Sequence, residues 1–228
     1  MFEFMTIREL YEIVMSGSHV EQDSMEYVQL QGWASGKDNR EMGLYFVRHG
    51  QTDWNVRGKL QGKSDIALNE TGRLQAVETR EKLKQVAMDA IYCSPLMRAR
   101  ETAEIINVLW ELPIQCDDRL MERSFGDMEG ALRKDVPFDD LWAFSSASMF
   151  AGGEDTAHFY ERVESFLKEI LPYAQEKEIL IVAHGGVSIP YQCFFEGYAC
   201  VENLSDLIIA NCEVRHYAAK QIQELVKG

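Results

Sequence analysis

From position 42 onward, short runs rich in apolar and β-branched residues alternate with longer stretches whose apolar residues recur every three or four positions. The runs predict strands over residues 44–47, 89–93, 113–116 and 178–183. The first and last runs are almost entirely apolar, as strands buried on both faces of a sheet are. Such alternation of strands and helices is typical of a mostly parallel sheet.

The stretches between these runs predict amphipathic helices. Asn69 is a suitable N-cap for a helix that continues to position 83. A second helix is predicted over residues 98–109. Apolar residues that share one helical face indicate a third helix; they are Phe159, Val163, Phe166 and Ile170.

Near the carboxyl end, residues 207–210 and 214–217 predict a terminal strand pair that is antiparallel. With the elements above, they define the predicted fold class. It is an α/β three-layer sandwich with a mostly parallel central sheet, helices on both faces and an antiparallel edge strand.

Residues 1–41 have a different composition, with 3 Lys or Arg against 8 Asp or Glu. About 40 residues cannot bury enough surface to fold unaided. The sequence therefore predicts an N-terminal extension of uncertain structure over residues 1–41 and one catalytic domain over residues 42–228. A fused remnant, a docking helix and an upstream start codon all remain open for the extension, and its deletion is expected to leave activity largely intact.

The formal net charge of the 228-residue chain is −14, from 23 Lys and Arg against 37 Asp and Glu. Such a charge disfavours broad contact with nucleic acid or anionic lipid but permits a small basic pocket. No apolar run reaches the 18 or so residues of a membrane helix, and the first residues lack the pattern of a secretion signal. A cytoplasmic protein without nucleic-acid or membrane partners is expected. A homodimer is left open.

Five cysteines without a CxxC spacing indicate reduced thiols rather than a disulfide framework or a zinc site. The sequence also contains no HExxH, DxDxDG or GKS/GKT motif. No metal and no cofactor are therefore predicted.

Two histidines follow predicted strands, His49 in Arg48-His49-Gly50 and His184 in His184-Gly185-Gly186. Ligands bind at the carboxyl ends of strands in open α/β sheets, where catalytic groups are expected. Glycine after each histidine lets the backbone pass close to a ligand. A lone histidine at a strand end is more often structural than catalytic, but the two together favour a shared catalytic site.

Further candidates follow other strands and turns. Arg98 would lie in the first turn of its helix, where a guanidinium is suited to binding phosphate. Asn55 and Gln61 offer side-chain amides, and Gly62 offers a backbone N–H. Glu122 and Glu129 are acid/base candidates. The alternative for Arg98 is an ordinary arginine on the surface of its helix. Trp54, in the polar segment after His49, is most simply a core residue.

In their order along the chain, these motifs resemble the histidine phosphatase superfamily, phosphoglycerate mutase-like branch, over about residues 42–220. The resemblance rests on LYFVRHGQTDWN, LQG, SPLMRARETA, the segment from Leu120 to Gly130, GGE and AHGG. It implies a phosphoric monoester hydrolase of the histidine acid phosphatase type that works without a metal or cofactor.

The resemblance also implies a role for each matching residue. His49 would be the nucleophile that forms a phosphohistidine, and Glu122 the general acid and base. The residues implied to surround the phosphoryl group or substrate are Arg48, Asn55, Gln61, Gly62, Arg98, His184 and Gly185.

The stretch over residues 135–160 bears on the choice between phosphatase and mutase. It contains no Lys or Arg against five acids, so a second phosphate would be repelled unless Arg123, Arg133 or Lys134 reaches over. Its aromatic residues predict an apolar lid over a substrate with one phosphate, or else simple packing; they are Phe138, Trp142, Phe144 and Phe150. We therefore expect a phosphatase acting on a small phosphorylated metabolite. The alternatives are a cofactor-dependent phosphoglycerate mutase and a non-catalytic phosphate-binding module.

Overall fold

The computed structural model describes residues 42–142, 150–196 and 203–219. The described residues contain the strands β1 (Gly43–Arg48), β2 (Ala90–Cys93), β3 (Ile114–Cys116), β4 (Glu178–Ala183) and β5 (Val214–Ala218). They form one sheet in the order β3-β2-β4-β1-β5. Neighbouring strands are parallel except β1 and β5, which are antiparallel.

Five α-helices surround this sheet in the described residues: α1 (Asp53–Val56), α2 (Glu70–Leu83), α3 (Met97–Asn107), α4 (Thr156–Ile170) and α5 (Ser188–Glu196). Alternate residues of the central strands enter two apolar clusters. Leu44 and Phe46 pack with α4 and α5, whereas Val47 packs with α3. Because successive strand residues face opposite sides, the two clusters lie on opposite faces. The predicted α/β class, with helices on both faces and an antiparallel edge strand, is confirmed.

The ends of two helices follow from side-chain hydrogen bonds. The Asn69 side chain accepts from Gly72 N (2.9 Å) and begins α2 as predicted. Helix α3 ends at Asn107, two residues before the predicted end. Asn107 donates to the Leu112 carbonyl and accepts from the Leu112 N–H, which closes a turn and prevents further helix.

The prediction of a strand over residues 207–210 is wrong. This segment contains the end of a 3₁₀ turn (Leu204–Leu207) followed by irregular backbone. The Leu207 carbonyl accepts hydrogen bonds from Ser188 Oγ and Gln192 Nε2 of α5. Because these hydrogen bonds hold the segment against α5, it does not pair with β5. Strand β5 is instead antiparallel to β1.

The predictions for the N-terminal extension (residues 1–41) and for Phe144 lie outside the described residues. The start of the catalytic domain at residue 42 stays a prediction. In the described parts of the chain, no helix is long and apolar enough to span a membrane. The cytoplasmic location and the choice of partners stay predictions.

Candidate active site

Strands β1 and β4 end side by side at the carboxyl edge of the sheet. Strands β1 and β4 are neighbours, with Arg48 opposite Ala183, so the two following histidines are brought together. The ring centroids of His49 and His184 are 5.2 Å apart. A solvent-open cavity lies at this edge and is lined by side chains that follow both strands.

His49 is held in one tautomer at the wall of this cavity. Its Nδ1 donates to the Gly50 carbonyl (2.7 Å), which leaves Nε2 unprotonated. Burial, and after it the charges of Arg98 and Arg48, keeps the pKa of His49 well below 6.5. The imidazole is therefore neutral at physiological pH, the state that a nucleophile requires.

Two guanidinium groups flank His49; Arg98 is buried, and Arg48 is partly buried. Arg98 donates through Nη1 and Nη2 to the carbonyls of Ser64 and Gly62, at 2.8 Å each. Arg48 donates through Nη1 to the Ile209 carbonyl (2.6 Å), and its buried Nε has no partner among the described residues. Burial lowers the pKa of each arginine to about 10, so both stay charged at neutral pH. Unused N–H donors in a cationic site suit an oxyanion.

Among the described residues, Glu122 is the only acidic side chain that lines the cavity. Its carboxylate accepts hydrogen bonds from Gly186 N (2.9 Å) and Arg123 N (3.0 Å), which fix its direction. A β-carbon at Gly186 would overlap both the Glu122 carboxylate and the Trp142 ring. The backbone can approach Glu122 this closely because residue 186 is glycine.

Asn55 and Gln61 also line the cavity, as predicted. The buried Thr52 hydroxyl lies 3.1 Å from the amide oxygen of each, and Thr52 N donates to Asn55 Oδ1. These contacts turn both NH₂ groups toward the cavity. Thr52 was not predicted as a site residue, although the spacing Thr52-x-x-Asn55 is the signature of a helix capping box.

The family model of the histidine phosphatase superfamily (branch 1) matches residues 44–225. The chain belongs to this superfamily. An uncharacterized phosphatase of Bacillus subtilis is 42% identical over 139 residues, which cover 61% of this chain and 69% of the relative. Both findings confirm the predicted family.

Two solved structures of superfamily members are similar as well. A mycobacterial glucosyl-3-phosphoglycerate phosphatase is 26% identical, with a TM-score of 0.64, and covers 78% of this chain and 90% of its own. A phosphoglycerate mutase from Thermus thermophilus is 28% identical, with a TM-score of 0.62, and covers 77% of this chain and 92% of its own. The phosphoglycerate mutase-like fold and phosphatase activity are thereby supported together.

In this histidine phosphatase, His184 lies behind Arg98 and is not among the residues that line the cavity. It is fully buried, and both ring nitrogens have partners. Arg98 Nε donates to Nδ1 (3.2 Å), and Nε2 donates to Ser94 Oγ (2.7 Å). Burial, then the charge of Arg98, holds the pKa of His184 well below its ordinary value. His184 therefore contacts the site through Arg98, and its role at the phosphoryl group stays a prediction.

Glu129, the other acid/base candidate, is not among the cavity-lining residues. Its carboxylate accepts from the backbone N–H groups of Lys63 and Ser64, at 3.0 and 2.8 Å. Gly62 precedes them with φ of +53°, in the left-handed region that favours glycine. Glu129 thus fixes the loop whose carbonyls hold Arg98. Gly62 and Gly185 themselves line the cavity, as predicted.

Two further cations lie at the cavity: Lys59, which was not predicted, and Arg133, which the sequence left open as a partner for a second phosphate. Lys59 lies 5.2 Å above the Trp54 ring, and Arg133 stacks 3.9 Å from the Phe138 ring. Both line the cavity, together with Phe138 and the buried Trp142. No sequence motif marks Lys59 or Arg133, because their placement depends on the bridge that pairs Lys59 with Leu132.

Arg123 and Lys134 do not line the cavity. Arg123 is buried and donates to the carbonyls of Glu154 and Leu141. Of the three basic residues considered for a second anion, only Arg133 is therefore placed to reach it. In the part of the chain that the structure describes, no group of three or more His, Cys, Asp or Glu side chains could hold a metal.

Proposed function

We propose that this phosphatase hydrolyses monoesters of small metabolites through a phosphohistidine on His49. The observation that supports the proposal most strongly is the neutral His49, with its unprotonated Nε2, at the cavity wall beside Arg48 and Arg98. A phosphoryl group placed there would be within reach of a nucleophile and of guanidinium donors. Positioning and charge stabilisation are what phosphoryl transfer chiefly requires.

The reaction proceeds in two steps. His49 Nε2 attacks phosphorus and the P–O ester bond breaks, while protonated Glu122 gives its proton to the leaving oxygen. The Glu122 carboxylate then takes a proton from water, whose oxygen attacks the phosphohistidine and releases inorganic phosphate. Arg48 and Arg98 stabilise the phosphoryl oxygens in both steps, and Asn55 and Gln61 donate further hydrogen bonds.

Metal independence is tested by assaying p-nitrophenyl phosphate after exhaustive dialysis against EDTA. We expect kcat/KM to remain within about twofold of the untreated value, because the arginines supply the positive charge that Mg²⁺ gives in other phosphatases. The diester bis(p-nitrophenyl) phosphate is a matched control that should not be hydrolysed. Loss of activity in EDTA with recovery on adding Mg²⁺ would contradict the metal-free proposal.

We also propose that the enzyme works in mild acid. With its pKa well below 6.5, His49 stays unprotonated where an exposed histidine is mostly charged. We expect kcat/KM to persist below pH 6.5 and to fall only as pH drops through the lowered pKa.

Comparison with Arg48→Met separates the titration of His49 from the titration of the substrate. The variant removes one of the charges that depress the pKa of His49, so its acid limb should move to higher pH. The measurement is kcat/KM from pH 4.5 to 8 on the same ester. A wild-type acid limb centred at or above pH 6.5, or no shift in the variant, would refute the assignment.

A second anionic group on the substrate is proposed from the charges at the cavity. In the part of the chain that the structure describes, four cationic side chains line the cavity against one carboxylate, Glu122. The charges of Arg48 and Arg98 balance those of a phosphate dianion. Lys59 and Arg133 then remain to bind a second anionic group. Neither of these has a carboxylate within 4.0 Å among the described residues. Phosphoglycerate, named in both similar structures, carries a carboxylate besides its phosphate.

The test compares 3-phosphoglycerate with glycerol 3-phosphate, which lacks the carboxylate. Arg133→Met and Lys59→Met should each lower kcat/KM for 3-phosphoglycerate about fivefold and leave glycerol 3-phosphate nearly unchanged, because each half-exposed charge pair contributes up to about 1 kcal/mol. Lys134→Met and Arg57→Met are controls outside the cavity. Equal losses on both substrates would contradict the second-anion proposal.

The same assay addresses the mutase alternative, which the placement of Arg133 at the cavity favours. Inorganic phosphate and glycerate are the expected products of 3-phosphoglycerate. Efficient formation of 2-phosphoglycerate in the presence of the bisphosphate would favour the mutase instead.

A further inference from the structure

Two thiols lie side by side at the edge of the sheet, on the side of α3. Cys93 ends β2 and Cys116 ends β3, and the two residues are paired in register on parallel strands. Directly paired residues project to the same face of a sheet, and Cys93 packs in the cluster that includes α3. The two Sγ atoms are 3.6 Å apart.

This arrangement fits the geometry of a disulfide bond. Neighbouring strands are about 4.8 Å apart, inside the range of about 4.4–6.8 Å between the Cα atoms of disulfide-bonded cysteines. The Sγ atoms must approach by about 1.5 Å to reach the bonded distance. Strand β3 has three residues and lies at the end of the sheet, so it is paired on one side only. A small movement of Cys93 and of this edge strand toward each other brings the sulfurs together.

The two thiols differ in access to solvent. Cys116 is exposed, whereas Cys93 is fully buried. Burial raises the pKa of Cys93, and the neighbouring charges come from Arg100 and Glu104 of α3, which form an ion pair with each other. An oxidant in solution therefore meets Cys116 first, with Cys93 directly behind it.

We propose that Cys93 and Cys116 form a reversible disulfide when the protein meets a small-molecule disulfide such as oxidised glutathione. The Cys116 thiolate attacks one sulfur of oxidised glutathione, breaks its S–S bond and releases one glutathione thiolate. Cys93 loses its proton to solvent and attacks Cys116 Sγ, which releases the second glutathione. Two protein thiols are oxidised, and one oxidised glutathione is reduced to two glutathione molecules.

Formation of this bond should affect the active site through Ser94, which follows Cys93. Ser94 Oγ accepts from His184 Nε2, and His184 Nδ1 accepts from Arg98. Drawing Cys93 toward β3 pulls Ser94 away from His184 and loosens the hold on Arg98. Oxidation is therefore expected to lower kcat several-fold. This consequence rests on the proposed function, whereas the disulfide itself does not.

The disulfide is tested by treating the full chain with oxidised glutathione, blocking free thiols, digesting without reduction and identifying linked peptides by mass spectrometry. A Cys93–Cys116 peptide that disappears with dithiothreitol is expected. It should be absent in Cys116→Ser and retained in Cys193→Ser and Cys212→Ser. A stable glutathione adduct on Cys116 without the linked peptide, or a link to another cysteine, would overturn the disulfide.

The effect on catalysis is measured separately on the same samples. The kcat for p-nitrophenyl phosphate should fall after oxidation and recover with dithiothreitol, whereas Cys116→Ser should respond to neither treatment. Formation of the linked peptide with unchanged kcat would overturn the coupling to Ser94 and leave the disulfide established. An inactive reduced protein would instead refute the proposed function, whatever its thiols do.

Discussion

Replacing His49 with alanine is expected to reduce hydrolysis of p-nitrophenyl phosphate by about 10⁴-fold or more, to the background that the remaining site supports. The loss should appear in kcat, because the variant removes the atom that forms the bond to phosphorus. Binding of inorganic phosphate should persist, since Arg48 and Arg98 stay in place. Steady-state kinetics and phosphate titration by calorimetry measure the two effects.

The control for this variant is His158→Ala, which changes an exposed histidine of α4 and should leave kcat unchanged. His49 is buried, so thermal unfolding of each variant shows whether the site is still folded. A folded His49→Ala protein that retains wild-type kcat would refute the nucleophile assignment.

Replacing Glu122 with glutamine is expected to slow turnover by about 10²- to 10⁴-fold for esters with poor leaving groups, because no acid remains to protonate the departing oxygen. An activated ester such as p-nitrophenyl phosphate needs no such proton. Its first turnover should therefore stay fast and give a burst of one p-nitrophenolate per site, followed by slow hydrolysis. Stopped-flow absorbance on a series of phenyl and alkyl phosphates resolves the two phases.

Glu129→Gln provides the matched comparison. Its carboxylate holds the backbone of Lys63 and Ser64, so its loss should slow all esters alike through the loop around Arg98. If Glu122→Gln lost activity equally on all leaving groups while Glu129→Gln discriminated between them, the acid would be Glu129.

Much of the site could be predicted from the sequence because its residues follow strands that are easy to recognise. The apolar runs before His49 and His184 predict buried parallel strands, and such strands end at one edge. Asn55 and Gln61 follow His49 within about a dozen positions, so local turns bring them to the same cavity.

The rest depends on contacts between distant segments. The sequence shows that Arg133 is basic but not that the bridge between Lys59 and Leu132 carries both cations to the cavity. Likewise, the pattern of residues 207–210 is that of a strand, and only packing against Ser188 and Gln192 prevents one. His184 was assigned to the phosphoryl group from its position after β4, whereas its two nitrogens are taken by Arg98 and Ser94.

The central claim is the covalent intermediate, and Glu122→Gln is the protein in which to trap it, since water activation is impaired after the first step. Mixing this variant with p-nitrophenyl phosphate, quenching in alkali within the burst and mapping the peptides by mass spectrometry measures it directly. We predict one phosphoryl group per chain, stable in alkali and labile in acid, on the peptide that contains His49. Absence of a phosphoryl group during the burst, or its attachment to any other residue, would contradict the mechanism.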